Sequence, residues 1–255
     1  MAFHYREVIR PPLADYVESV WISEGYVQPH ASERIMPSGA MDLIIDVGAS
    51  GSGPMGLSGP RSRSIVITTA QQRDLVGIHF KPGGGFAFVE PPAGELRDAS
   101  VPLDVLWGRD AHDLRERLLE ARTADERFAI VDEALRTRLH AARHPAVRYA
   151  VAQLQTATNS IADVTARTGY SARRFIALFR DEVGLAPKLF QRVTRFAQTL
   201  QAIGDGEGDW TEIALACGYF DQAHFNHEFR DLSGLTPTAY AEGRVSANHV
   251  RVDAR

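Results

Sequence analysis

The sequence has only one cysteine and no long apolar segment. Because Cys217 has no second cysteine to pair with, no disulfide can form within the chain. No stretch approaches the run of roughly 18 apolar residues that indicates a membrane-spanning helix. The N-terminus is interrupted by His4, Arg6 and Glu7 and lacks the apolar core of a signal peptide. We therefore expect a cytoplasmic protein with no membrane partner.

The patterns of an enzyme site or a metal site are also missing. His4, His30 and His79 are scattered, whereas a metal ion requires three or four ligands that converge on it. The three glycines at 83–85 are not followed by the Lys-Ser/Thr pair of a nucleotide-binding loop, so they indicate a flexible turn. Cys217 takes a position where a small apolar residue packs, which disfavours a redox sensor. We expect no enzymatic activity, no metal and no cofactor.

The first hundred residues are typical of a β-rich domain. Hydrophobic residues make up 44% of the chain, which is enough for the cores of two globular domains. Short apolar or alternating runs, separated by clusters of Gly, Pro and Ser, predict strands at residues 17–22, 43–47, 65–67 and 76–80. This spacing predicts a small antiparallel β barrel or sandwich, which we place at residues 1–103.

The last hundred residues contain one pattern twice. A Gly-Tyr pair, two phenylalanines, an Arg-Asp pair, a Gly-Leu pair and a proline occur in the same order in both copies. The offset is 49 residues from Gly169 to Gly218 but 50 from Phe175 to Phe225, so the second copy has one residue inserted in its turn. A solenoid needs at least about three copies, and two copies indicate paired modules instead.

Each copy predicts a short helix, a glycine turn and a longer helix. Gly169 and Gly218 end the short helices, where a left-handed conformation is needed. Ser171 and Asp221 then offer N-cap oxygens to the longer helices. Phenylalanines four residues apart place one face of each longer helix in a core and leave the other face free. Two helices joined in this way form a helix-turn-helix, whose second helix enters the DNA major groove.

These repeated motifs resemble the DNA-binding domain of the AraC/XylS family of bacterial transcription regulators. The resemblance covers residues 146–243 and implies two helix-turn-helix units joined by a linker helix at about residues 188–203. In the family's pattern an arginine follows the aromatic or leucine anchor by two residues, whereas here Phe175 is the anchor and Ala177 takes that place. Sequence preference is therefore expected to depend on Arg173 and Arg174.

The resemblance and the free helix faces together select the residues expected to contact double-stranded DNA. Those expected to read bases are Arg173, Arg174, Ile176, Ala177, Gln222, Ala223, His224, Asn226 and His227. Those expected to contact phosphates are Ser171, Arg180, Lys188, Arg192 and Arg195. Arg180 and Arg230 are equally compatible with pairing to nearby carboxylates. RNA polymerase is a further expected partner if the protein is an activator.

The formal net charge is −4, so for a DNA-binding protein the distribution of charge matters more than its total. Between Arg148 and Arg195, eight basic and three acidic residues give +5. Between Asp205 and Asp231, seven acidic residues and Arg230 give −6. We expect the first unit to bind phosphates and the second to bind DNA poorly alone, although its amides and imidazoles can read purine edges.

The family resemblance places a cupin-like sensor at the N-terminus. The runs at residues 33–42 and 80–84 are similar to an uncharacterised domain found on some members, and this similarity names no ligand. Candidate effector contacts are Trp21, Met36 and His79, and the alternative is a domain that binds a partner protein. An enclosed apolar cavity of about 300 Å³ or more would favour a small molecule, and a filled interior would favour a protein.

A helical connector is expected at residues 104–145, with helices at residues 110–120 and 124–140. The second helix carries an apolar stripe, Phe128, Val131, Leu135 and Leu139, at spacings of three and four. This stripe predicts either packing within the chain or, as in other family members, the seam of a homodimer. Residues 244–255 are expected to form a tail.

Overall fold

In the computed structural model, a β-rich N-terminal part is followed by helices. The structure describes residues 2–8, 10–27, 30–48, 53–69, 73–156, 159–204 and 209–252. The expected architecture of a β-rich domain, a helical connector and an all-α pair of helix-turn-helix units is confirmed. Within the described ranges, no helix is long and apolar enough to cross a membrane.

The larger sheet has six antiparallel strands. In spatial order they are β1 (Ala2–Glu7), β2 (Val17–Tyr26), β7 (Arg73–Phe80), β4 (Asp42–Asp46), β5 (Met55–Ser58) and β8 (Ser100–Pro102). Three of the strands predicted from apolar alternation are β2, β4 and β7, which form the centre of the sheet. Because β1 and β8 each have one unpaired edge among the described residues, the sheet is open and not a closed barrel.

One face of this sheet packs against the connector helices. These are α1 (Leu103–Trp107), α2 (Arg109–Glu120) and α3 (Ala124–Arg138). Alternate side chains of the central strands, such as Ile22, Leu43 and Val76, point into this core and are fully buried. The core lies between the sheet and the helices because each contributes only one apolar face.

The apolar stripe of α3 belongs to this same core. Val131 and Leu135 are buried, Phe128 nearly so, and Leu139 packs against the cluster from its edge. A side chain buried within one chain cannot form the contact between two chains. The prediction that Phe128, Val131, Leu135 and Leu139 form a dimer seam is therefore wrong, and intramolecular packing is the arrangement found.

The smaller sheet combines strands from the two ends of the described chain. Its order is β6 (Ile65–Thr68), β3 (Ser32–Ile35), β10 (His249–Arg251) and β9 (Arg244–Ser246). β10 runs antiparallel to β3, with His249 opposite Ile35. Residues 244–251 thus form a hairpin that extends an N-terminal strand, which corrects the expectation of a tail; residues 253–255 lie outside the described residues.

A buried carboxylate joins this hairpin to β3. Glu33 accepts a hydrogen bond from His249 Nδ1 at 2.6 Å and another from His30 Nε2 at 2.7 Å. Burial by itself would raise the pKa of Glu33, but these two histidine donors outweigh burial and hold the pKa below its ordinary value. Val250, the next residue along β10, is buried in the core of the helical module.

The helical module begins at Pro145, which fits the first position of a helix because it needs no backbone donor there. Its helices are α4 (Pro145–Gln155), α5 (Ile161–Thr168), α6 (Ala172–Val183), α7 (Pro187–Gly204), α8 (Trp210–Ala216), α9 (Gln222–Ser233) and α10 (Pro237–Gly243). The linker helix expected at residues 188–203 is α7. Buried phenylalanines from α6, α7 and α9 fill the core.

The β5–β6 loop of the N-terminal part touches the ends of α6 and α9. Gly184, which ends α6 with φ +85°, lies so close to Pro60 that an added Cβ would come within 2.3 Å of the ring. Near the end of α9, Ser64 Oγ donates to the carbonyl of Ser233 at 2.7 Å, and Arg63 pairs with Asp231 at 2.9 Å. Both α6 and α9, the second helices of the two helix-turn-helix units, therefore end against the N-terminal part.

Glu182, near the end of α6, makes the stability of the fold depend on pH, through its contacts with His144 and Arg143 just before α4. Burial raises the pKa of Glu182 to about 7, although the backbone N–H of His144 and the guanidinium of Arg143 both oppose the shift. Between about pH 4.5 and pH 7, the folded state holds a proton that the unfolded state has lost. The contribution of Glu182 to the free energy of unfolding is therefore full below about pH 4.5 and is lost as pH rises through 7.

We therefore expect the free energy of unfolding to fall between pH 5 and pH 8, by up to about 3 kcal/mol from this group. Urea unfolding at several pH values measures the effect. Glu182→Gln should flatten that part of the profile, while Asp181→Asn, a change at its exposed neighbour, should leave it intact. A profile unchanged by Glu182→Gln would contradict the assignment.

Candidate DNA-binding surface

The first unit consists of α5, a glycine turn and α6. Gly169 ends α5 in the left-handed conformation, and Ser171 caps α6 by accepting a hydrogen bond from the backbone N–H of Arg174 at 3.3 Å. Phe175 and Phe179 hold one face of α6 in the core. The residues expected to read bases lie on its exposed surface: Arg173, Arg174, Ile176 and Ala177.

The second unit repeats this arrangement with α8 and α9. Asp221 caps α9 by accepting from the backbone N–H of His224 at 2.7 Å, and Phe225 and Phe229 are buried. All the residues selected for base reading here are exposed: Gln222, Ala223, His224, Asn226 and His227. Gln222 is also within 3.3 Å of the Thr211 hydroxyl, which links the start of α9 to α8.

Of the residues expected to contact phosphates, Ser171, Arg180 and Lys188 are exposed. Arg192 and Arg195 of the linker helix are not free for this role. Arg192 donates to Glu228 at 2.6 Å and to Asp231 at 2.8 Å, and Arg195 donates to the other oxygen of Glu228 at 2.6 Å. The prediction that these two arginines contact phosphates is wrong, because each is already paired with carboxylates of α9.

These pairs change the distribution of free charge. The hydrogen bond from Arg192, helped by Arg63, holds the pKa of Asp231 below its usual range. Two acidic groups of the second unit are thus neutralised by linker residues that the sequence had assigned to the first unit. Asp205 and Glu207, two further acids of the sequence count, lie outside the described residues. The exposed basic side chains that remain between residues 148 and 195 are Arg148, Arg167, Arg173, Arg174, Arg180 and Lys188.

Comparison with known proteins agrees with this geometry. Residues 164–243 match a family described as "Helix-turn-helix domain", of the AraC type. The C-terminal domain is therefore a helix-turn-helix domain of the AraC type. Residues 10–102 match a family described as a domain of unknown function. Over 81 residues the chain is 28% identical to the probable transcriptional regulator LumQ of Photobacterium leiognathi; the match spans 32% of this chain and 33%, about a third, of LumQ.

Two solved structures are similar to this chain in part or in whole. The C-terminal domain of AraT from Geobacillus stearothermophilus is 21% identical, with a TM-score of 0.39, over 42% of this chain and 91% of that domain. ToxT from Vibrio cholerae is 12% identical, with a TM-score of 0.46, over 96% of this chain and 98% of ToxT.

The three residues expected to contact an effector are divided between the outer face of the larger sheet, which carries Trp21 and His79, and the core of the helical module. Trp21 stacks on Phe3 with ring centroids 6.1 Å apart, on the sheet face opposite the connector helices. Met36 is buried in the core of the helical module. His79 Nδ1 lies 2.6 Å from Asp42; burial favours the neutral ring, but Asp42 outweighs burial and raises the pKa of His79. Met36 is therefore separated from Trp21 and His79, and an effector role for the three residues stays a prediction.

Two open clefts lie at the AraC-type module. One, of about 530 Å³, lies between the β5–β6 loop and the module and is lined by residues that include Arg61, Ser64, Leu189 and Asp231. The other, of about 410 Å³, borders Asn226, His227, Arg230 and Asp231 on α9. In contrast, the buried side chains between the larger sheet and the connector helices form one packed cluster.

Sequence reasoning missed the part that α9 acids play in this module. Glu228 is buried on α9 and receives both linker arginines. A signal was present, because Arg192 and Arg195 are spaced i, i+3 on one helix and Glu228 and Asp231 are spaced i, i+3 on another. This spacing places the two arginines on one face of α7 and the two acids on one face of α9. The spacing alone does not say that the two helices meet.

Proposed function

We propose that this protein is a sequence-specific DNA-binding transcription regulator. The observation that carries the proposal is the repeated, capped helix-turn-helix, with both longer helices exposing their outer faces and α7 linking the two units. In this arrangement α6 and α9 enter successive segments of the major groove of double-stranded DNA. The proposed function is not enzymatic and is exercised in the cytoplasm.

The exposed residues divide into two roles. Base reading is assigned to Arg173, Arg174, Ile176 and Ala177 of α6 and to Gln222, Ala223, His224, Asn226 and His227 of α9. Phosphate contacts are assigned to Ser171, Arg180 and Lys188, because hydroxyls, arginines and lysines position a protein on the DNA backbone. The smaller number of free cations in the second unit makes the first unit the main electrostatic contact.

Selection of bound duplexes from a random pool by the full chain tests this function. A recovered consensus with two blocks about one helical turn apart is expected, because each unit reads its own groove segment. Salt dependence of binding to the selected duplex then counts the phosphate contacts. Recovery of no enriched sequence, with binding that is equal for all duplexes, would contradict a sequence-specific regulator.

Arg173→Ala is expected to weaken binding to the selected duplex by about 1 to 3 kcal/mol and to relax preference at one position. The guanidinium is exposed near the start of α6, where it can donate two hydrogen bonds to guanine. Binding to the full set of single-base variants of the duplex measures the effect. Arg109→Ala, at an exposed arginine of the connector, is the control. An equal loss on all variants would show a phosphate contact instead.

The N-terminal domain is proposed to receive the signal that controls DNA binding. Its β5–β6 loop contacts the ends of both reading helices, which supports a direct route to them. A small-molecule effector is one candidate signal, and a partner protein is the other. A metabolite that raises the melting temperature and changes DNA affinity would favour the small molecule.

RNA polymerase is the proposed further partner if the protein activates transcription. A homodimer is also proposed, although its interface is not the α3 stripe. Sedimentation of the chain with and without the selected duplex tests the dimer. A single chain on a two-block duplex would exclude it.

A further inference from the structure

The second helix-turn-helix unit has one residue more than the first, and the structure identifies it. The left-handed glycines Gly169 and Gly218 correspond at an offset of 49, whereas the N-cap residues Ser171 and Asp221 correspond at 50. Tyr170 and Tyr219 follow the two glycines. The extra residue is therefore Phe220, which stands between the tyrosine and the N-cap of α9.

The turn holds the tyrosine inside and exposes the inserted ring. Tyr219 is only 3% exposed, its ring lies under the guanidinium of Arg195 at 4.7 Å, and its hydroxyl is 3.5 Å from the Thr199 hydroxyl. In the first unit the corresponding Tyr170 is 39% exposed. Phe220 is 86% exposed, the highest value among the exposed large apolar side chains of the described ranges. Among the residues that the structure describes, no packing buries its ring.

Phe220 lies at the end of α9 that is expected to meet DNA. In a helix-turn-helix the N-terminal residues of the second helix contact base edges, and Phe220 precedes the cap of that helix directly. Its backbone N–H points to His224 Nδ1 at 3.4 Å, which ties its position to a proposed base-reading residue. The ring is therefore carried on the capped start of α9 and not on a free loop.

We propose that Phe220 reads a thymine by packing its ring against the 5-methyl group in the major groove. Apolar side chains recognise this methyl group, which none of the other three DNA bases carries. The second unit has few free cations, so an apolar contact gives it discrimination without phosphate attraction. This inference rests on the proposed DNA-binding function and adds a base contact to it.

The test uses the duplex selected by the full chain and replaces each thymine in the α9 block with deoxyuridine, which lacks only the methyl group. Removal of one methyl group is expected to weaken binding of the unchanged protein about fourfold at one position. Phe220→Ala should weaken binding to the thymine duplex and abolish the difference between thymine and deoxyuridine there. Phe220→Leu should keep part of that difference. Val105→Ala, at a residue 71% exposed on α1, is the matched control.

The outcomes separate this inference from the proposed function. If the full chain selects no sequence, the proposed function fails and the thymine contact fails with it. If it selects a sequence but Phe220→Ala leaves both duplexes bound as before, only the thymine contact is overturned, and the exposed ring would then serve a protein partner. Equal weakening on the thymine and deoxyuridine duplexes also overturns it, because it would show a contact with the sugar-phosphate backbone.

Discussion

Removal of residues 244–255 is expected to lower the free energy of unfolding by about 3 kcal/mol or more. The deletion removes Val250 from the core of the AraC-type module and takes away His249, one of the two donors to the buried carboxylate of Glu33. It also removes the acceptor of the Tyr240 hydroxyl, which donates to the carbonyl of Ala247 at 2.7 Å. Urea unfolding of the shortened chain measures the loss.

Truncation after Val252 is the control for this deletion, because it keeps both strands of the hairpin. His249→Phe separates the two contributions: it retains the strand but leaves Glu33 with His30 as its remaining described donor. The free energy of unfolding that His249→Phe loses should therefore lie between the losses of the two truncations. Wild-type stability in the chain that lacks residues 244–255 would show that the hairpin is a dispensable tail, as the sequence indicated.

The double change Arg192→Gln and Arg195→Gln is expected to destabilise the protein by about 3 to 5 kcal/mol, since it leaves the carboxylate of Glu228 buried without its two arginine partners. DNA affinity should fall as well, because α9 is then no longer held against the linker helix. Denaturant unfolding and binding to the selected duplex measure the two effects.

Salt dependence distinguishes this structural role from the phosphate contacts that the sequence predicted. Loss of two phosphate contacts would lower the slope of log affinity against log salt by about 2 and leave stability nearly unchanged. Loss of the α7–α9 pairs should instead lower the stability and leave the slope nearly unchanged. Adding Glu228→Gln to the double change should restore part of the stability, because it removes the uncompensated charge. Lack of any rescue would contradict the pairing.

Local patterns predicted the parts of the fold that depend on near neighbours in the chain. The left-handed glycines, the N-caps Ser171 and Asp221 and the buried phenylalanines of α6 and α9 follow from spacings of a few residues. The central strands of the larger sheet follow from alternation. These features were predictable because backbone geometry and one-sided burial act over one or two turns or strands.

The hairpin could not be predicted in the same way. Its strands β9 and β10 have three residues each, too few to show a period, and β10 pairs with β3 across the chain. The partner of a short strand depends on which edge the rest of the fold leaves open. Local sequence patterns do not show which strand edge is left open.

Side-chain roles were hardest to predict where a group had two chemically valid partners. An arginine on the linker helix fits a phosphate and a carboxylate equally well, and the facing acids of α9 decide between them. The α3 stripe fits a dimer seam and a core equally well, and the larger sheet supplies the core. Met36 fits a ligand contact but packs in the helical module, because β3 lies against that module.

The pairing of β3 with β10 also sets an order for folding during synthesis. Glu33 and His249, which the pairing joins, are 216 residues apart in the chain. When β3 leaves the ribosome, its β10 edge has no partner until the helical module has been made. At roughly 5 to 20 residues per second, that interval lasts on the order of 10 to 40 seconds. An open strand edge invites pairing with other chains, so the nascent protein is most prone to aggregate during this interval.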